Sequence, residues 1–421
     1  MANNFDSNFT RELAKVFLDK FETNRVMSKN VNTQLLEGRF DPSTGENYDF
    51  KRPTDYVSKR TATGDVSGET KSDIITGKAT GTVQDYFTVF VDYNEADEAL
   101  KMDQLDQLLA PMATRIVTDM ELDFADFMMK NTGLLAGNVG TGVTTWDHVA
   151  EAGAIMQATG VPMDNQWCYA MNPFTQRKLA SDQRSLGGET GAMTANQRAT
   201  ITENFAGMKV MTANTLASYT TGAGADREGT LAANPVVTYV NAKDTMTQQL
   251  AVTGLQANLV VAAGETITIT GRNRLNLSTR KVIVDETGAQ ILFSGTVTEE
   301  VTLDGSGAGT LIVTGPAIYE AAGAYNTVDS APVSGDVVTL GGSASTVIQP
   351  NMFWHKEAFA IGSVPIKKLH STDTIATTED GLQIRVSKGV GFLENQQKVR
   401  FDFRPAYGVM NPFFAGQGFG S

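Results

Sequence analysis

The 421-residue chain holds one cysteine, Cys168, and three histidines, His148, His355 and His370. A single thiol excludes an intrachain disulfide, so folding in a reducing cytosol is expected. The same scarcity leaves no ligand set for a zinc knuckle, and no HExxH pair occurs. No apolar run approaches the ~18 residues that cross a bilayer. The opening Met1-Ala2-Asn3-Asn4-Phe5-Asp6 has no basic or apolar signal region, and no membrane partner is expected. Bases are scarce as well, 34 Lys and Arg against 47 Asp and Glu, for a formal charge of −13. That balance argues against a sequence-independent grip on nucleic acid. It suits a protein that stays soluble at high concentration.

Motifs of chemistry fail one by one. Gly77-Lys78-Ala79-Thr80 ends like a phosphate loop, but Ser72 stands where glycine is required and Ala79 follows the lysine. Gly305-Ser306-Gly307-Ala308-Gly309 has no following helix and reads as a hairpin tip. Gly416-Gln417-Gly418-Phe419-Gly420 lacks the strand and helix of a dinucleotide site. No Gly-x-Ser-x-Gly elbow is present. His355-Lys356-Glu357 reads as a loop or interface histidine rather than a ligand pair. Asp119, Asp123 and Asp126 share one helical face, with Glu121 nearby. A polar face turned to solvent or to another subunit is the expected reading. No catalytic, cofactor or metal residue is assigned.

What is present points to a large, many-sided subunit. The length implies two or three domains. Residues 7–27 read as an amphipathic helix, with Phe9, Leu13, Val16, Phe17 and Phe21 at helical spacing. Residues 36–94 alternate turn signals, such as Asp41-Pro42-Ser43-Thr44-Gly45, with strand-like Tyr48–Lys51 and Gly81–Tyr93. This reads as a β-hairpin arm with too few apolar residues at its tip to bury itself. The most regular helix runs Asp103–Lys130, on the order of 40 Å long, with Pro111 expected to kink it or mark its start. Residues 145–220 read as mixed α/β, with Trp146–Ala158 and Asn172–Ala180 helical and Trp167–Met171 a buried strand. From about 230 to 347 nearly everything reads as strand, as in a small barrel or sandwich inserted in a larger body.

Charge is unevenly spread. Residues 85–130 hold eleven acids against Lys101, Arg115 and Lys130, a net of −8, while the arm carries Lys51-Arg52 and Lys59-Arg60. The contrast suggests head-to-tail docking between copies, with two solvated surfaces as the plainer alternative.

Several segments, in order along nearly the whole chain, resemble the coat proteins of short-tailed bacteriophages whose shell fold carries an inserted β-barrel. They are Phe50-Lys51-Arg52-Pro53, Thr63-Gly64-Asp65-Val66-Ser67-Gly68, Gly77-Lys78-Ala79-Thr80-Gly81, Leu109-Ala110-Pro111, Arg115-Ile116-Val117-Thr118-Asp119 and Phe127-Met128-Met129. Lys368-Leu369-His370-Ser371, Phe401-Asp402, Pro405-Ala406-Tyr407 and Asn411-Pro412 follow. The resemblance implies an α+β chain with the tailed-phage and herpesvirus capsid fold. Residues 1–35 would be an N-terminal arm, 36–94 an extended loop, and 95–144 a peripheral domain with its spine helix. Residues 145–222, 348–380 and 405–421 would form an axial domain, 381–404 peripheral strands, and 223–347 the inserted barrel.

The same resemblance implies hexamers and pentamers of an icosahedral virion capsid, assembled in the host bacterial cytoplasm as a procapsid that expands on packaging. Its partners would be other copies, a scaffolding protein, a portal protein and, weakly, packaged double-stranded DNA. Lys51, Arg52, Lys59, Arg60, Asp119, Asp123, Asp126, Arg272 and Arg274 are the candidate intersubunit contacts. Arg272-Asn273-Arg274 and Tyr319–Asp329 are candidates for a two-fold contact of the insertion. An encapsulin-like compartment shell is the first alternative. An enzyme with a β accessory domain and a decoration or tail protein are weaker ones.

Overall fold

The computed structural model describes residues 6–33, 47–69, 71–94, 105–185, 193, 197–370, 373–391 and 396–421. The turn signal at 41–45 and the first two residues of the expected long helix lie outside them. By its contacts the chain divides into two units: Met1–Tyr48, Gly81–Ala125 and Phe359–Gly408 form the first, and Asp49–Thr80, Asp126–Ala358 and Val409–Ser421 the second.

In the first unit the helix Asp6–Asn24 lies on a four-stranded antiparallel sheet, ordered Thr374–Thr377, Gln383–Gly391, Gln396–Phe403 and Phe87–Asn94. Alternation along Gln396–Phe403 turns Val399, Phe401 and Phe403 to the buried side. Phe17 stacks on Phe401 with ring centres 4.8 Å apart, and Phe21 meets Phe403 edge-on at 5.3 Å. Phe17 and Phe21 of the amphipathic stripe are therefore covered within their own unit. The stretch expected as one strand, Gly81–Tyr93, is two. Lys78–Val83 pairs through Gly81–Val83 with Pro405–Val409, and Phe87–Asn94 pairs with Gln396–Phe403. Both ladders break together at Arg404, because Pro405 has no N–H to continue one. Across the break Gln84 N–H donates to Pro405 O at 2.9 Å, and the Arg404 guanidinium lies 5.0 Å from the Tyr86 ring centre.

The long helix is described from Leu105 to Lys130 and runs unbroken through Pro111. Its buried stripe in the first unit is Met112, Ile116, Met120 and Phe124.

Two large apolar cores and a smaller cluster around Tyr239 and Ile318 lie in the second unit, among the described residues. A six-stranded mixed sheet is ordered Leu134–Ala136, Ala415–Gly418, Asn351–His355, Trp167–Met171, Met208–Thr212 and Asn204–Phe205. The helices Trp146–Thr159 and Pro173–Ser185 pack with it around Met156, Trp167, Tyr169, Leu179 and Phe353. Asn172 caps the second helix as its sequence suggests, its Oδ1 accepting the Thr175 N–H at 2.7 Å, with Pro173 first inside. The other core is a closed barrel of Thr247–Thr253, Gly309–Thr314, Leu292–Val297, Thr266–Asn273, Val337–Leu340 and Glu228–Leu231. Closure leaves no open sheet edge. Leu250, Ile267, Ile269, Phe293, Leu311, Val313 and Val338 fill it. The chain enters and leaves through a neck in which Tyr219–Thr220 pairs antiparallel with Val347–Ile348. The protein is thus α+β with an inserted all-β barrel.

Candidate assembly surfaces

Of the expected arm, residues 36–94, the part Asp49–Thr80 belongs with the barrel in the second unit and is fastened there near both of its ends. At one end Asp55 binds Arg280 at 2.6 Å and donates its N–H to Tyr325 Oη at 2.9 Å. At the other, Lys78 N–H donates to Asp244 Oδ1 at 3.1 Å, and Ile75 packs with Tyr239, Ala242, Met246 and Ile318. Tyr239 and Tyr325 stack in parallel with ring centres 3.7 Å apart. Gly77 has no room for a side chain: a Cβ there would stand 2.6 Å from Lys243 O. Lys78 Nζ binds Asp49 at 2.8 Å, which lowers the Asp49 pKa and raises that of Lys78.

Between these anchors the tip is open. Tyr56, Val66 and Ile74 are 53%, 53% and 75% exposed, too much apolar surface for a settled loop end. Lys51 and Arg60 are exposed, and Lys59 makes one loose pair with Glu69 at 3.5 Å. Arg52, grouped with them by sequence, differs. It is buried, donating to Lys78 O at 3.2 Å, Val409 O at 3.3 Å and Met410 O. Burial pushes its pKa down to about 10. It braces the arm's base and offers nothing outward.

Arg274 is likewise buried. It is 2% exposed, and its guanidinium donates to Gly133 O at 2.7 Å and to Ser294 O, between the rings of Phe293 and Phe413. Burial pushes its pKa down to about 10. Arg272 is half-buried and holds Asp336 with two bonds of 2.7 Å. In the Tyr319–Asp329 loop, Asn326 pins Glu320 through two 2.8 Å bonds.

The helical acids also divide. Asp119 pairs with Arg115 at 2.9 Å and Asp126 with Lys130, both one turn apart on the helix surface. Asp123 is exposed and interacts with the buried Tyr407 hydroxyl, whose pKa is raised by burial and by that carboxylate. Glu121 turns inward. At 1% exposure it accepts the N–H groups of Met27 at 2.9 Å and Ser28 at 3.1 Å. Asp402, fully buried, accepts from Arg400 Nε at 2.6 Å, Thr88 Oγ1 at 2.7 Å and Arg385 Nε at 3.1 Å. Burial alone would raise its pKa, but these bonds outweigh that and hold it below the usual carboxylate range.

Sequence reasoning missed Asp55, Tyr239, Asp244, Arg280 and Tyr325. Their partners lie up to 270 positions away, and no spacing rule reaches that far.

The arm is thus anchored near both ends and carries an exposed apolar tip. The model of the family described as P22 coat protein, gene protein 5, matches residues 1–420. A curated protein named "Major capsid protein", from Acyrthosiphon pisum secondary endosymbiont phage 1, is 36% identical over 427 residues, covering all of both chains. Among solved structures, one of Mycobacterium phage Che8 is similar at a TM-score of 0.47 and 12% identity, over 94% of this chain and 92% of that one. The capsid structure of cyanophage P-SCSP1u is similar at 0.42 and 10%, over 90% and 84%. Likeness at that level is slight beside the sequence match. The chain belongs to the P22 coat protein family.

Proposed function

We infer that this chain is the major capsid protein of a tailed bacteriophage and that its copies tile an icosahedral shell. The observation that carries the reading is the family match over residues 1–420. The exposed arm tip supports it, since Tyr56, Val66 and Ile74 need a neighbour's surface. The family has a structural role, and this chain performs no turnover of its own.

Several finer points extend the reading. The phage is short-tailed, and the shell of hexamers and pentamers begins as a scaffolded procapsid in the host cytoplasm. It has a portal at one vertex and expands as double-stranded DNA enters. The net charge of −13 keeps contact with that DNA weak. Residues 36–94 serve as the extended loop, Leu105–Lys130 as the spine, the six-stranded sheet as the axial domain and the barrel as an outward insertion.

Between copies, Lys51, Lys59 and Arg60 of one arm meet the acidic 85–130 segment of the next, where Asp119 and Asp123 lie beside exposed Leu122. Arg52 and Arg274 take no part, being used inside the chain. Arg272, half-exposed beside Asp336, and Asp126 remain available at the edge of such contacts. Reversing Lys51, Lys59 and Arg60 to glutamate should abolish closed shells while leaving monomer circular dichroism unchanged. Normal shells from the triple variant would contradict this docking.

A further inference from the structure

The barrel and the six-stranded sheet each have an apolar core, and the two cores are separate. At the neck between them several buried side chains are polar, beside the apolar Ile348 and Met129. Tyr219 lies on the entering strand, and Arg227 just precedes the first barrel strand. Glu265 precedes and Thr266 opens the strand Thr266–Asn273, and Gln417 belongs to the sheet. All five are more than nine-tenths buried.

They are close neighbours. Arg227 Nη2 donates to the Glu265 carboxylate and, at 3.2 Å, to Gly341 O. Gly341 N–H donates to Thr266 O at 2.8 Å, and a Cβ on Gly341 would stand 2.4 Å from Thr266 Oγ1. Gln417 Nε2 donates to Gly264 O at 2.9 Å, and a Cβ on Gly264 would stand 3.3 Å from Tyr219 Cδ1. Glu265 Oε1 accepts the Ala262 N–H at 3.0 Å. Among the described residues, however, Arg227 Nε and Nη1, Tyr219 Oη, Thr266 Oγ1 and Gln417 Oε1 have no hydrogen-bond partner. So many unpaired buried polar atoms in one place is strongly unfavourable.

We propose that the neck is a binding site for ordered water, which bridges Arg227, Tyr219, Thr266 and Gln417. Water matches the mixture of groups. It accepts from the Arg227 N–H groups and donates to Gln417 Oε1 and Thr266 Oγ1, while the Tyr219 hydroxyl takes either role. A small anion would satisfy Arg227 and Tyr219 but would face the Glu265 carboxylate and Gln417 Oε1. The barrel is then seated on the body through a wet joint between two dry cores.

The test is a map at a resolution that shows ordered solvent, recorded in chloride buffer and in glutamate buffer without chloride. Crystals of unassembled protein serve as well as shells, so the outcome does not depend on the capsid reading. The expected result is discrete density about 2.6–3.2 Å from Arg227 Nε or Nη1 and from Tyr219 Oη or Gln417 Oε1, in both buffers. Direct pairing of these side chains with no density between them would overturn the proposal. So would density that vanishes without chloride, which would mark an anion. In Tyr219→Phe the density beside the ring should weaken or move, and an unchanged peak would remove Tyr219 from the site.

Discussion

Arg274 and Asp402 are charged side chains that the fold takes out of water, and each is answered by several partners. Arg274 ties the barrel to Gly133, just past the end of the long helix, and two phenylalanine rings flank its guanidinium. Arg274→Ala strands the Gly133 and Ser294 carbonyls and opens a cavity, so a loss of about 3 kcal/mol is expected in the urea transition that unfolds the barrel. A loss under about 0.5 kcal/mol, the size of an exposed substitution, would show that the contact is incidental. For Asp402 the effect depends on pH. Its folded pKa lies below the unfolded value of about 3.9, so the folded state binds fewer protons across that interval. Its contribution is therefore complete above about pH 4 and lost as pH falls through the folded pKa. Denaturant midpoints at pH 6 and pH 3 should differ less in Asp402→Asn than in the parent. An equal or larger difference would contradict the assignment.

At the scale of elements, the arm is held by its ends and free at its tip. Gly77→Val would force a side chain into Lys243 O and release one anchor. The expected outcome is faster proteolysis within residues 53–77 with the barrel fold retained, read by limited digestion and mass spectrometry. An unchanged cleavage pattern would mean that the anchor does not restrain the arm. The regular elements were legible in the sequence because periodicity and capping are local. The phenylalanine stripe of the N-terminal helix, the Asn172-Pro173 helix start and the barrel's closely spaced strands all show in the residues. The break at Arg404 was not legible, because two distant segments kink together at Pro405. The opposite fates of Arg52 and Lys51, or of Glu121 and Asp123, were not legible either. Neighbours of like charge are separated by tertiary packing, which composition does not record. Pro111 was expected to kink the long helix or mark its start; it does not mark the start, since the helix runs on both sides of it.

At the scale of the whole molecule, the chain carries acid over residues 85–130, base on an open arm, and a barrel joined to its sheet by a polar neck. Apolar surface at Tyr56, Val66 and Ile74 is unfavourable in a lone monomer and suited to a protein that is stored in a shell. Because the sheet and barrel cores are distinct, unfolding of the unassembled chain should not be two-state. Calorimetry should show a calorimetric enthalpy larger than the van't Hoff value, and equal values would argue for one cooperative core. The most direct test of the central claim is electron microscopy of the purified chain, expressed with and without the neighbouring phage genes. Closed icosahedral shells, more regular when a scaffold gene is present, are the expected result. Monomers that persist in both preparations would contradict the assignment of this chain as a shell subunit.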